Sequence, residues 1–275
     1  MNIIFFVVNF NADEHLFRLI KSIEDAKSRS QQSNIEVHVF ENSPKTEVEI
    51  NTLKIKLRHE YSDITLHWPK ENKGYFGGVS TAQSVVKEQT NCVIYCNPDV
   101  MLDSNFLSRL EESRFRNEGI IAPAIIGIKD EYDQNPKYIN RLSKNKLKRL
   151  KVIYSNKILY EVFNLLAKMK ELVLPYKSDK RNTENVNQKI YAPHGSVLIF
   201  MDTKFFCKLP LYPCLLFGEE LFIAEEARMA KVNVTYQPLL IVHDVRHASI
   251  KQIGNNFRRS LMFSSVSFIL DRYYK

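Results

Sequence analysis

The run from Cys92 to Val100 is an apolar strand pattern that ends abruptly in Asn97, Pro98 and Asp99. A carboxylate at the carboxyl edge of a sheet can hold a divalent cation that bridges two phosphates, because Mg²⁺ and Mn²⁺ prefer oxygen ligands and keep substrate phosphates in their shell. The same residues also make an ordinary Pro-Asp turn. About twenty residues earlier stand Asn72, Lys73, Gly74, Tyr75, Phe76, Gly77 and Gly78. Glycines ahead of a helix let backbone approach a nucleotide and aim a helix N-terminus at negative charge, though a plain turn uses them equally well. The spacing is neither the GxGxxG of dinucleotide-binding folds nor a P-loop, which weighs against dinucleotide binding and NTP hydrolysis. His194 and His247 are further candidates for substrate contact, with a structural role as the plainer reading.

These residues need a frame. Up to about residue 125, short β-rich runs alternate with helical patterns, the mark of βαβ units around a largely parallel sheet. The expected strands are Ile3–Val8, Ile35–Phe40, Ile64–His67, Cys92–Cys96 and Ile120–Ala122; the expected helices are Asp13–Ser28, Glu47–Glu60, Gly77–Gln89 and Ser104–Phe115. Ligands in such sheets bind beyond the carboxyl ends of the strands, which directs attention to Asn9–Asn11, Glu41–Ser43, Asn72–Gly78 and Asn97–Asp99. From about Lys129 to Lys189 the rhythm breaks. An amphipathic pattern there, in Leu159, Val162, Phe163, Leu166, Met169, Leu172 and Val173, predicts an insertion with its own helices. A strand at Ser196–Phe200, a helix at Glu219–Ala230, strands near Val232–Tyr236 and Leu240–His243 and a C-terminal helix complete the expected order.

A length of 275 residues with 44% hydrophobic content suits one globular domain carrying a sizeable insertion. The apolar run Ile3–Phe10 is strand-sized, and no stretch reaches the roughly 20 apolar residues of a membrane-spanning helix. Cys92, Cys96, Cys207 and Cys214 lie in apolar surroundings with no CxxC spacing, so buried reduced thiols are expected. Trp68 reads as a core residue. The formal charge of +8 is concentrated: between Lys137 and Arg181 thirteen Lys or Arg face three acids. A basic amphipathic segment suits an anionic membrane surface, or else a solvated helical lid. Confinement of the charge to one segment, without a helix-turn-helix, RRM or zinc module, weighs against a nucleic-acid-binding protein.

Taken in order, VVNFN (7–11), FENS (40–43), NKGYFGG (72–78), NPDV (97–100), GSVLIF (195–200), FGEEL (217–221) and the stretch from His243 to Ser249 resemble the motif series of family 2 glycosyltransferases, especially the rhamnosyltransferase-like branch. The series spans nearly the whole chain apart from the insertion. It implies an α/β, GT-A-type Rossmann-like fold with a mixed, mostly parallel sheet flanked by helices. Residues 1–125 would form the nucleotide-sugar-binding half, 129–189 the basic helical insertion and 190–275 the acceptor and catalytic half.

The resemblance also implies roles. Asn9 and Glu41 would line the nucleoside pocket, Asn72, Gly74, Gly77, Gly78 and Asn97 would serve the donor, and Asp99 with His243 would hold Mn²⁺ or Mg²⁺. Glu220 would be the catalytic base, with Glu219 and His194 on the acceptor side. Without its context a Glu-Glu pair at a helix start merely suits the helix dipole. The chain departs from the family at Phe222, where a second acid is frequent, at Glu226, where arginine is usual, and at Lys231, where glycine often precedes the next strand. The QxxRW signature of processive synthases is missing. The implied activity is inverting, metal-dependent, non-processive transfer from a nucleoside-diphosphate sugar to a saccharide or lipid-linked acceptor in bacterial cell-surface polysaccharide synthesis. Reduced thiols agree with a cytoplasmic location, and the basic segment 137–181 could add contact with the inner face of an anionic membrane. The alternative is a catalytically inactive relative that only binds a sugar nucleotide.

Overall fold

The computed structural model describes residues 1–30, 33–112, 119–128, 131–173, 187–245 and 254–275. Strands β1 (Asn2–Asn9), β2 (Asn34–Glu41), β3 (Ile64–His67) and β4 (Cys92–Cys96) run parallel in the order β3-β2-β1-β4. Strands β1 and β4 are almost wholly buried, as strands covered on both faces must be. Helix α1 (Asp13–Lys27) covers one face through Leu16, Leu19, Ile20 and Ile23, and α2 (Glu47–Glu60) adds Leu53 and Leu57. The start of α2 is set by a capping box: Thr46 Oγ1 accepts from Glu49 N–H at 3.3 Å, and the Glu49 carboxylate accepts from Thr46 N–H at 2.7 Å.

The rest of the chain gives β5 (Val100–Leu102), α4 (Phe106–Leu110), β6 (Ile120–Gly127), α5 (Lys144–Ser155), α6 (Lys157–Val173), β7 (Gln188–Lys189), β8 (Val197–Phe200), α7 (Thr203–Cys207), α8 (Glu219–Ala230), β9 (Val234–Asp244) and α9 (Asn255–Tyr273). Strand β8 enters antiparallel between β4 and β6, so the described sheet reads β3-β2-β1-β4-β8-β6-β9-β5, with β7 on β9. Alternate residues of each strand feed two cores. Ile3, Phe5 and Val7 pack with α1, α2 and α4, while Phe6 and Val8 pack with Tyr95, Phe76 and Phe222 on the face covered by α8 and α9.

Several expected elements differ in extent. The helix expected at Gly77–Gln89 is a 3₁₀ turn, Phe76–Gly78, followed by α3 (Val79–Val85), because two glycines start it and Val86 is already extended. The helix expected at Ser104–Phe115 is the shorter α4, and residues 113–118 lie outside the described residues. Strand β6 runs on to Gly127, and the two late strands are one. Opposite Pro123 and Ala124 the register jumps from Gln237 to Ile241, so residues 238–240 leave the ladder where Pro238 has no N–H to give. Trp68 is only partly buried, with the Lys70 ammonium 5.3 Å from its ring centre, and is not a core residue. Cys92 and Cys96 are buried as free thiols, whereas Cys207 is exposed at the end of the short α7.

Helix α8 is fastened by a buried acid. Glu225, with no exposed surface, accepts from Arg141 Nε at 2.7 Å, Arg228 Nε at 2.8 Å and the Tyr191 hydroxyl at 2.7 Å. Arg141 also donates to Tyr273 O at 3.0 Å and stacks 4.1 Å from the Tyr274 ring centre, which ties α9 to the same point. Glu225→Ala should lower unfolding free energy by about 2–3 kcal/mol, under the 3–5 typical of a broken buried pair because both guanidinium groups keep contact with water. A urea melt whose midpoint matches the parent's would show that this network contributes nothing to stability.

Candidate functional site

The carboxyl ends of β1, β2 and β4 gather the first group of residues. In the parallel register Asn9 lies opposite Glu41, and both side chains are fully buried. Asn9 Nδ2 donates to Glu41 Oε2 at 2.7 Å and to Asp13 Oδ1 at 2.8 Å. Burial raises the Glu41 carboxyl above its usual range, against hydrogen bonds from Ser43 and Asn9 that favour the anion. Asn9 Oδ1 is buried without a hydrogen-bond partner, an acceptor that a bound donor group could satisfy. Ser43 Oγ accepts from Asn11 N–H at 2.7 Å, so the loops after β1 and β2 are joined directly.

The glycine-rich turn is held against this edge by a residue the sequence reading left without a role. Asn42 Nδ2 donates to Gly74 O at 2.9 Å, and its Oδ1 accepts from Lys73 N–H at 2.8 Å. Asn72 Oδ1 accepts from Gly74 N–H at 2.8 Å. Gly74 has φ +79°, and a Cβ there would stand 2.2 Å from the Leu215 carbonyl oxygen, so no other residue fits without moving the backbone. Gly78 packs on the rings of Phe6 and Phe40. Tyr75 and Tyr95 fix the turn in depth: the Tyr95 hydroxyl donates to Tyr75 O at 2.6 Å, and the Tyr75 hydroxyl donates to Gly195 O at 2.7 Å.

Gly195 belongs to the segment entering β8, which delivers the acceptor-side residues. Asn97 N–H donates to Ser196 O at 2.9 Å, joining the end of β4 to that segment. A Cβ on Gly195 would lie 3.3 Å from Glu219 Oε1 and 3.5 Å from Glu220 Cγ, so both acids pack against it. They start α8 after an unusual turn in which Phe217 and Gly218 are both left-handed, at φ 68° and 79°. The conformation at Phe217 costs about 1–3 kcal/mol. It is braced by the Tyr212 hydroxyl donating to Phe217 O at 2.6 Å, and by Ser265, which leaves no space for a side chain at position 218.

The two acids differ. Glu219 Oε2 is buried with no hydrogen-bond partner, and burial, with the neighbouring Glu220 charge, pushes its carboxyl up to about 8. Glu220 Oε1 lies 3.7 Å from the Lys137 ammonium. Lys137 and its neighbours, counted with the basic insertion from sequence, are wired into this region. Buried Asp133 accepts from the N–H groups of Ile125 and Asn135, each at 2.9 Å, and from the Tyr236 hydroxyl. Asn135, joined to Pro136 by a cis peptide bond, accepts from His194 N–H at 2.7 Å. His194 Nδ1 in turn accepts from Ser196 N–H at 3.2 Å. An Asn-Pro pair is a turn signal that could have drawn attention to Asn135 in the sequence.

Asp99 and His243 come together through β5 and β9. Val100 pairs with Asp244 and Met101 with His243, and Val245 N–H extends the ladder to Asp99 O at 3.0 Å. Asp99 itself sits in the turn that leads into β5, so its backbone lies two positions along this pairing from that of His243. No cluster of three or more His, Cys, Asp or Glu suited to a metal occurs among the described residues. Of Asp99 and His243, the Asp99 carboxylate is the ligand type that Mg²⁺ and Mn²⁺ prefer. His247 lies outside the described residues.

Phe222, Glu226 and Lys231, which differ from the motif series, each have a local structural setting. Phe222 is fully buried against Phe76, Tyr212 and Phe268, burial worth about 1.5–3 kcal/mol for such a ring. Glu226 accepts from Arg272 at 3.1 Å, a second tie between α8 and α9. Lys231 takes the left-handed cap after α8 at φ 58°, the conformation that glycine adopts most easily.

A scan against protein-family models and a search of curated proteins find no match. Among solved structures, the chain is similar to GalNAc-T7 with UDP, GalNAc and Mn²⁺ at a TM-score of 0.64 and 13% identity, covering 99% of this chain and 49% of that one. It is also similar to S. aureus TarS at a TM-score of 0.55 and 10% identity, covering 90% of this chain and 37% of that one. The chain thus spans about half or less of the length of these glycosyltransferases and shares their GT-A-like fold.

The raised Glu219 carboxyl has a defined linkage. Between the ordinary value of 4.5 and about 8 the folded state binds the proton more tightly than the unfolded state, so this group makes stability fall as pH rises through that window. Glu219→Gln, neutral at every pH, should flatten the decline. Melting temperatures of parent and variant at either end of the window test this, and parallel declines would contradict it.

Proposed function

We propose that the chain is a non-processive glycosyltransferase that moves a sugar from a nucleoside-diphosphate sugar to a hydroxyl of a saccharide or lipid-linked acceptor, with inversion at the anomeric carbon. The observation that carries this reading is the meeting of two halves. The glycine-rich turn reaches, through the Tyr75 hydroxyl, the Gly195 carbonyl, and Gly195 packs against the acid pair of α8. Binding of UDP, GalNAc and Mn²⁺ by GalNAc-T7 supports the same class of donor and metal.

In this reading residues 1–125 bind the donor, 190–275 supply the acceptor side, and 129–189 form the inserted unit. Asn9 and Glu41 are too deeply buried to form an open wall, and their role is to set the edge that receives the base, with Asn9 Oδ1 as the available acceptor. Asn72, Gly74, Gly77, Gly78 and Asn97 place backbone along the sugar diphosphate. Glu220 takes the proton of the acceptor hydroxyl as that oxygen attacks the anomeric carbon; the bond to the diphosphate oxygen breaks and its electron pair leaves with the diphosphate. Glu219, protonated near neutral pH, can donate a hydrogen bond to the acceptor, and His194 stands with it on the acceptor side. Asp99 and His243 are the residues that would hold Mn²⁺ or Mg²⁺, whose contribution when bound is to neutralise the leaving diphosphate.

The basic segment 137–181, a lipid-linked acceptor and cell-surface polysaccharide synthesis fit one another as a setting. No helix among the described residues is long and apolar enough to cross a membrane.

Thermal-shift measurements against UDP, dTDP and GDP sugars, with and without Mn²⁺, test the donor class. At a hundredfold excess over Kd the matching donor should raise Tm by about 5 °C or more. Asp99→Asn should abolish transfer and the Mn²⁺-dependent part of that shift while leaving the parent melting temperature intact, and Glu220→Gln should lower kcat by about a hundredfold or more with donor binding retained. Full activity in Asp99→Asn would remove the metal from the scheme, and absence of any nucleotide shift would remove the donor.

A further inference from the structure

Helix α6 is built the wrong way round for a helix that serves a core. Tyr160 is buried, yet Ile158, Leu159, Val162, Leu165, Leu166 and Met169 are all exposed, Ile158 at 70% and Leu166 at 59%. At 100° per residue these six fall within one continuous face, opposite Tyr160, with Lys157, Glu161 and Lys168 on its flank. An outward apolar face of this extent on a charged chain marks an interaction surface. Beside it packs α5, which carries Lys144, Lys146, Lys148, Arg149 and Lys151 and no acid.

The pair is connected to the candidate site by consecutive residues of α9. Arg259 Nη1 donates to Tyr154 O at 2.7 Å and to Ser155 O at 3.1 Å, where α5 gives way to α6. The Arg258 guanidinium stands 5.7 Å from the ring centre of Phe217, in the strained turn that leads into Glu219 and Glu220. The apolar face and the acid pair are thus held in fixed relation by one turn of helix.

We propose that α6 docks its apolar face into the headgroup and acyl boundary of an anionic bilayer while α5 binds the lipid charge, so that the acid pair works on a lipid-borne acceptor at that surface. The occupant is argued from charge: a helix that is purely basic beside an apolar one suits anionic lipid, and each Lys or Arg near such a surface adds about fivefold to binding. The inference rests on the transferase reading for the identity of the acceptor but not for the docking itself.

Flotation of the full chain with vesicles of phosphatidylglycerol in phosphatidylcholine, and of phosphatidylcholine alone, tests it. The parent should float with the anionic vesicles and stay partly bound in high salt. Combined Ile158→Glu, Leu165→Glu and Met169→Glu, all at exposed positions, should weaken binding at least about tenfold, and combined Lys144→Glu, Lys148→Glu and Arg149→Glu should remove the salt-sensitive part. Donor-induced thermal shifts should be unchanged in both variants, which separates loss of docking from loss of the site. Equal flotation of parent and apolar-face variant, or no flotation of the parent, would overturn the proposal. So would a dimer, seen by light scattering, that the apolar-face substitutions dissociate, since the occupant would then be a second copy of the chain.

Discussion

Two tyrosine hydroxyls bonded to backbone carbonyls hold the molecule's halves in register. The Tyr95 ring rises from the fourth strand and bonds to Tyr75 O; the Tyr75 hydroxyl bonds to Gly195 O. Both rings are buried, so an unmade bond would leave a polar group in apolar surroundings, a penalty of about 1–3 kcal/mol each. Because Gly195 contacts the acids of α8, a shift of either ring would be felt at once by the glycine-rich turn and by the carboxylates. Burial also drives both hydroxyls well above their ordinary pKa, so they act as fixed donors and not as proton carriers.

The sheet and most of its helices were legible because the signals are local. Strands β3 and β4 and helices α2 and α8 have the limits their apolar runs and caps indicate. What was hidden depends on distant partners. Strand β5 is three residues long and exists because β9 pairs with it, and β7 is a two-residue pairing with the same strand. No pattern within residues 129–189 separates Asp133, Asn135 and Lys137, which reach the site, from α5 and α6, which lie outside it. The difference comes from contacts with Tyr236, His194 and Glu220.

Candidate residues follow the same division. Glycines 74 and 78 were readable as positions where backbone could approach a nucleotide, but not the protein neighbours that crowd each of them: the Leu215 carbonyl for one and two phenylalanine rings for the other. The Glu219-Glu220 pair was visible as a motif, but the contrast between its members was not, since it arises from the burial of one oxygen and the approach of a lysine from another segment. Phe222, Glu226 and Lys231, anomalies when compared with a motif, are accounted for by packing, by a tie to α9 and by a helix cap.

The place of β8 has a consequence for how such a chain is made. It stands between β4 and β6, yet it follows both in sequence, after α5 and α6. While the ribosome is still delivering the middle of the protein, the parallel half therefore presents β4 as an open edge, with apolar residues on both faces and unpaired amides along its length. Residues 197–200 close that edge on one side and recruit β6 on the other. Until they emerge, the edge of β4 is open to pairing with a strand other than its own.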